Sequence, residues 1–355
     1  MARGSETTAT APAPELRPTL APAGEAAAAA LGPPVLRRAP RWHRAAEGAV
    51  FVMAMSAIAA IVLIFAFVLR EALPVLTDRQ VRAEVTPLEM VTAQRWPGYD
   101  HAAHVWQPVS SHPKYGMVPL VVGTLKATLV ALLFAVPLAI LGAIYVSQYA
   151  PRRVAEVAKA SIEVLSAIPS VVLGFFALAV VASVLQRIFG FPHRLNATVA
   201  GLGLGLAVLP IVFTIAEDAL RAVPRSYVEA SIALGARKWQ TILRVVLPAA
   251  SPGISAGVVL GLGRAVGETM IVLMAAGNAA TLSADFGKSV RTLTATIAAE
   301  MAEVVFPSPG HPSPHYSVLF FLGVVLFGFT FAINALGAEA IERLRRKLTG
   351  GRRGG

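Results

Sequence analysis

Six runs of about twenty apolar residues constrain this chain more than any other feature. The first, Ala49–Leu69, carries no charge over 21 positions. At 1.5 Å per residue that is long enough to cross the ~30 Å hydrocarbon core of a bilayer. The others lie at Ala127–Ser147, Val164–Gln186, Leu195–Ala216, Pro248–Gly277 and Tyr316–Gly337, with Lys126 at the edge of the second and Arg264 and Glu268 inside the fifth. Lipid offers no water to satisfy backbone N–H and C=O groups, so segments of this kind must be helical. The expected fold is therefore all-α, a polytopic membrane protein with six transmembrane helices. Only 14% of the residues are charged, against about 25% in soluble chains. The absence of cysteine excludes disulfides, thiol nucleophiles and thiolate metal sites.

Six spans place both termini on one side. The two tails and the loops at 148–163 and 217–247 hold 20 Lys and Arg residues, whereas the alternating loops at 70–116, 187–194 and 278–315 hold 9. The positive-inside rule then puts both termini in the cytoplasm of a cell inner membrane. Topology thus accounts for the net charge of +11, and nucleic acid is not an expected partner. Residues 1–48 read as a disordered basic cytoplasmic tail, because their Ala/Pro/Thr-rich start buries too little to offset ordering entropy. A full-length span at 49–70 after so long a tail reads as a signal anchor, not a cleaved signal. Residues 71–116 form a periplasmic loop with balanced charge and no legible fold, and 339–355 a second basic tail. In the last external loop Val290, Leu293, Ile297, Met301 and Val304 recur at helical spacing around Arg291, Glu300 and Glu303. That pattern predicts an amphipathic helix lying at the outer surface.

The stretch Tyr227–Thr269 has two halves. In the first, Glu229-Ala230-Ser231, Gly235 and Val245-x-Leu247-Pro248 predict a short helix ending at Leu234 and a glycine at positive φ. A second short helix runs to Val246, and a new helix opens at Pro248. Val228, Ile232, Trp239, Ile242, Leu243 and Val246 supply a packing face, with Arg225, Arg237, Lys238 and Arg244 solvated. The pattern alone equally describes a surface loop joining two spans. The spacing resembles the EAA loop of ABC importer permeases, with Ser231 in place of the second Ala. In that family the loop docks in a cleft of a cytoplasmic ATPase. The resemblance therefore implies an ATPase-coupling role for Glu229, Ala230, Ser231, Gly235, Leu247 and Pro248 within a permease domain at 117–338.

In the second half, each charge turned toward lipid costs at least ~2.5–3.5 kcal/mol, so Arg264 and Glu268 should face protein or water. Four residues apart on one helix face, they either neutralise each other and pin the bundle or line an anion pathway. The run Gly261–Asn278 resembles the fifth helix of PstC-type permeases, the phosphate branch of the ABC importers. Tyr149-Ala150-Pro151, Ala167–Val172 with Gly174, His315-Tyr316-Ser317 and Asn334 carry the same resemblance. It implies that Arg264, Glu268 and the adjoining Thr269 serve the substrate pathway, and that no residue is catalytic. It also implies a PstA-type permease, a PstB-type ATPase dimer holding ATP and Mg, and a periplasmic phosphate-binding protein as partners, with no cofactor in this chain. A permease for molybdate or sulfate, the PstA-type partner, and an ATPase-independent channel or secondary transporter are the alternatives. Pro137, Pro169 and Pro210, inside spans, are hinge candidates.

Three weaker signals are set aside. Gly287-Lys288-Ser289 is half a phosphate-binding loop, but Leu282 stands where its first glycine belongs. Gly201, Gly203 and Gly205 with Gly253, Gly257 and Gly261 read as close helix packing. His101, His104, His112, His311 and His315 lack accompanying ligands at metal spacing and read as solvated.

Overall fold

A computed structural model describes residues 41–96, 99–308 and 313–350. The expected 1–48 tail lies almost wholly outside them. Six helices are long and apolar enough to cross a membrane, as the sequence predicts. The chain divides into two compact units, residues 1–62 and 63–355. Helix α1 (Arg41–Ala72) crosses that division, and residues 46–62 are exposed throughout.

In the larger unit, α2 (Val118–Tyr149) is followed by an amphipathic helix, α3 (Arg152–Ala167), and by α4 (Ser170–Phe189). The third span does not begin at Val164 as expected. Ile168 sits at ψ 126°, because a residue before proline is pushed out of the helical region, and the chain restarts at Ser170. Pro169 therefore lies between two helices. Pro137 and Pro210 do lie inside helices, in α2 and in α5 (Ala197–Arg221) respectively. Lys126 is not at the edge of its span but eight residues into α2, and only 7% exposed.

Helix α5 is the centre of the bundle, with 72% of its most apolar 18-residue stretch buried. A short helix, α6 (Arg225–Ala233), follows on the side that carries the 217–247 loop, the loop side. Then come α7 (Lys238–Gly267), α8 (Met270–Ala275), α9 (Leu293–Met301) and α10 (Pro314–Gly350), so the expected basic tail at 339–355 is helical through Gly350. Glycines let the long helices touch. A Cβ at Gly201 would stand 2.4 Å from Val130 Cβ and 2.9 Å from the Ala127 carbonyl on α2, and one at Gly261 would stand 2.8 Å from Val212 Cγ2 on α5. Lipid tails are as apolar as the side chains, so such close packing is what associates helices.

Residues 71–116, unreadable from sequence, fold on the far side into helical turns at Pro74–Thr77, Arg79–Glu84 and Pro87–Val91 and a two-stranded sheet, Trp106–Gln107 with Lys114–Tyr115. Asp78 accepts from the amides of Gln80 and Val81, and Thr86 with Glu89 forms a reciprocal capping box. Val81, Met90, Trp106 and Tyr115 from this cap bury against Leu293, Leu319 and Leu322. Helix α9 is consequently not a surface helix. Of the expected charged face, Arg291 and Glu300 turn inward while Glu303, past the helix end, is exposed: Glu300 receives Arg291 Nη2 at 2.8 Å and the Trp106 indole N–H at 2.8 Å on Oε1, and His315 Nε2 lies 2.9 Å from Oε2. His315 is thus packed, not solvated, because a buried carboxylate draws every donor in reach. Burial, together with a hydrogen bond from its hydroxyl to Glu84, raises the Tyr115 phenol far above its ordinary value, so it stays protonated as a donor.

Gly201→Leu forces side-chain volume into backbone contact. It should lower unfolding free energy by about 1–3 kcal/mol, read as a depressed melting temperature in detergent.

Candidate functional site

The first part of the site is the 217–247 loop. Helix α6 ends as expected at a left-handed glycine: Gly235 has φ +82°, its N–H donates to the Ile232 carbonyl at 2.8 Å, and Ala236 N–H to the Ser231 carbonyl at 3.2 Å. The chain then enters α7 at Lys238. No second short helix stops at Val246. Lys238–Gly267 is one unbroken helix, in which Ile242–Val246 takes π-type hydrogen bonding. The wider turn makes room for the Pro248 ring, which would otherwise press on the Arg244 carbonyl. Ser231, the departure from the usual motif, has a partner: its Oγ lies 2.9 Å from Oγ1 of buried Thr241, tying α6 to the start of α7.

The expected packing face is only partly used. Ile242 and Val246 are buried, whereas Ile232, Trp239 and Leu243 are about half exposed and Leu234 is 90% exposed. Glu229 is exposed beside them. The loop therefore presents an apolar patch with a carboxylate at its rim, on a turn fixed from behind.

The second part is the fifth span. It does not run to Gly277. Helix α7 ends at Gly267, and Glu268 is extended (φ −71°, ψ 134°). Arg264 and Glu268 do not pair, since four-residue spacing aligns side chains only on a helix that continues. Instead the Glu268 carboxylate accepts from the amides of Thr269 at 3.2 Å and Met270 at 3.3 Å, capping α8. Its carbonyl accepts from Thr294 Oγ1 at 2.8 Å. Arg264 is left exposed, one turn before the break. Glu268 and Thr269 are half-buried there.

Past α8, Gly277 (φ +81°) and Asn278 (φ +52°) turn the chain, and the segment to Val290 crosses the far ends of α2 and α5. Lys126 Nζ donates to the carbonyls of Ser283 (3.0 Å) and Asp285, and Thr198 N–H to that of Phe286. Thr294 and the structural role of Lys126 are seen only in the folded chain. A lone charge in an otherwise apolar run was the available signal for Lys126; nothing in sequence marks Thr294. Among the described residues no cluster of three potential metal ligands occurs. His101 and His112 are exposed and His104 half-buried, and His311 lies outside the described residues.

Residues 135–347 match the family described as binding-protein-dependent transport system inner membrane component. The chain belongs to this family. It is a multi-pass membrane protein, a permease by family. Among its relatives, "Probable ABC transporter permease protein YqgH" of Bacillus subtilis is 35% identical, the match covering 70% of this chain and 75% of that one. "Phosphate transport system permease protein PstC 1" of Mycobacterium tuberculosis is 34% identical over 73% of this chain and 83% of that one, and PstC of Mesorhizobium japonicum is 32% identical over 67% and 76%. A permease in a crystal structure of a bacterial alginate ABC transporter, in complex with its alginate-bound periplasmic protein, superposes with TM-score 0.54 at 14% identity, over 83% of this chain and 95% of that one. The ABC importer permease fold is thereby established.

Removing the Ser231 hydroxyl leaves Thr241 buried without its partner. Ser231→Ala should cost about 1 kcal/mol locally, seen as roughly fivefold faster amide exchange across 231–241 by mass spectrometry, with helicity unchanged.

Proposed function

We propose that this chain is the membrane-spanning permease subunit of an ATP-driven importer that moves inorganic phosphate across the inner membrane by alternating access. The observation that carries the reading is the unbroken helix α7. It begins within the exposed apolar turn and ends one turn past Arg264, so about 39 Å of continuous helix, with a π-type turn at Ile242–Val246 and Pro252 inside it, joins the two, at 1.5 Å per residue. Push applied at the turn reaches the cation along a single helix. The phosphate assignment is supported by the PstC relatives and by a cation at the break of a span.

In this reading the termini and the 217–247 loop are cytoplasmic, supported by the 20 to 9 bias in Lys and Arg. Glu229, Ala230, Ser231 and Gly235 shape the turn that enters the ATPase, and Leu247 and Pro248 seat α7 behind it. A PstB-type ATPase dimer holds ATP and Mg, so hydrolysis belongs to that subunit and this chain supplies no catalytic residue and no cofactor site. A PstA-type permease completes the pathway, and a periplasmic phosphate-binding protein delivers the anion to the far side, over the 71–116 cap. Arg264 supplies positive potential to the anion. Glu268, spent on the amides of α8, holds the break open, and Thr269 offers a hydroxyl beside it. Pro137 and Pro210 weaken α2 and α5 locally, and Pro169 is a joint between α3 and α4.

Reconstituted with its partners, the protein should import labelled phosphate only with ATP, and excess sulfate or molybdate should not compete. Competition by either, with phosphate without effect, would assign another oxyanion. Arg264→Gln should abolish uptake while the complex still assembles; failure to assemble would make the Arg a packing residue. Gly235→Trp, at a backbone conformation that costs a side chain about 1–2 kcal/mol, should lose the ATPase on co-purification. Full uptake with no ATPase present would overturn the importer reading.

A further inference from the structure

Glu217, one turn before the end of α5, is 1% exposed. Its Oε2 lies 2.7 Å from Lys159 Nζ on α3, and its Oε1 pairs with Arg221 on its own helix. The two cations are 35% and 50% exposed, so only the carboxylate is withdrawn from water. A buried ion pair of this kind adds little net stability, because desolvation offsets attraction, and its selective effect is to fix geometry. What it fixes is the position of α3 against the base of the coupling turn, since α6 starts just after Arg221, beyond Ala222–Pro224.

Two further features give that link a purpose. First, a cavity of about 1010 Å³ opens between α6 (Arg225, Val228, Glu229), α3 (Arg152, Glu156) and the loop-side ends of α2 and α5. Helix α6 buries none of its own residues, so it has room to move toward α3. Second, α3 is joined through Pro169 to α4, and α4 rests on the broken span. A Cβ at Gly174 would stand 3.2 Å from the Met270 carbonyl and 3.2 Å from Ile271 Cα, within three residues of Glu268.

We propose that the Lys159–Glu217–Arg221 clamp is a second transmission line, by which displacement of the coupling turn passes through α3 and α4 to the segment that follows Glu268. Helix α7 drives the Arg264 side of the break, and the clamp drives the Met270 side. Both must move together for the break to widen. Glu217 is therefore a positioning residue that touches no substrate. The inference rests on the importer reading, and its test is arranged to fail separately from it.

The test uses the full importer in proteoliposomes, with phosphate import and ATP hydrolysis measured in parallel. Glu217→Gln keeps shape and removes the buried charge, leaving two cations that already reach water, so the fold survives. Hydrolysis should persist while phosphate imported per ATP falls about tenfold, the factor associated with losing a charge-assisted hydrogen bond. The concentration of binding protein at half-maximal rate should not change, and Glu217→Asp should restore part of the ratio. The chain has no cysteine, so Ser166→Cys, at the exposed end of α3, is its single thiol, used with partner subunits made free of cysteine: its rate of thiol labelling should shift on adding ATP with Glu217 present and stay constant in Glu217→Gln. If Glu217→Gln prevents assembly, Lys159→Met takes its place, because Arg221 still pairs with the carboxylate. An unchanged transport ratio, a proportional fall of transport and hydrolysis, or an ATP-dependent labelling shift that survives the substitution overturns the clamp. A wild-type complex that imports no phosphate overturns the function instead.

Discussion

A helix that stops within an apolar layer strands amide and carbonyl groups, and every one must find a partner. The gap between Gly267 and Met270 is where this protein meets that demand, and much of the far side is arranged to serve it. Glu268 turns its own carboxylate onto the amides of Thr269 and Met270, and Thr294 reaches across to its carbonyl. Thr294 is available only because α9 is drawn inward, and α9 is drawn inward because Glu300 is bound by Arg291, Trp106 and His315. The folded 71–116 cap supplies Trp106. A local defect in one span thus depends on residues spread over two hundred positions of sequence.

Much of the architecture was legible in the sequence because lipid permits so few solutions. Apolar length marked six spans, and four-residue glycine spacing marked where α5 and α7 touch. The left-handed turn at Gly235 was legible for a similar reason, since few residue types tolerate its backbone. The errors share a different cause. Reading Arg264 and Glu268 as a pair assumed that an apolar run is one helix, and apolarity does not report where a helix is interrupted. The same assumption hid the joint at Pro169, although the proline itself was visible. Residues 71–116 were opaque because their core is completed by α9 and α10, two hundred residues further on.

Buried charge follows a consistent logic across the molecule. Lys126 holds the carbonyls of Ser283 and Asp285, Glu300 gathers donors from three separate segments, and Glu217 binds α3 to α5. Each joins elements distant in sequence at a place where apolar packing alone would tolerate sliding. In a bundle of alanine, valine and glycine surfaces, register is weakly specified by shape, and directional contacts supply what shape lacks.

The exposed turn bears on the life of the protein before assembly. Leu234, Trp239 and Leu243 cluster about the turn at Gly235 and are half or more exposed, so an unaccompanied copy shows them at its surface. Contiguous apolar surface of that kind attracts chaperones and proteases, and invites aggregation. In the proposed importer, a copy seated on its ATPase hides the patch, and one without it leaves the patch open to chaperones and proteases. The side chains proposed to receive mechanical force in the importer would, by the same exposure, also help keep the numbers of its subunits matched.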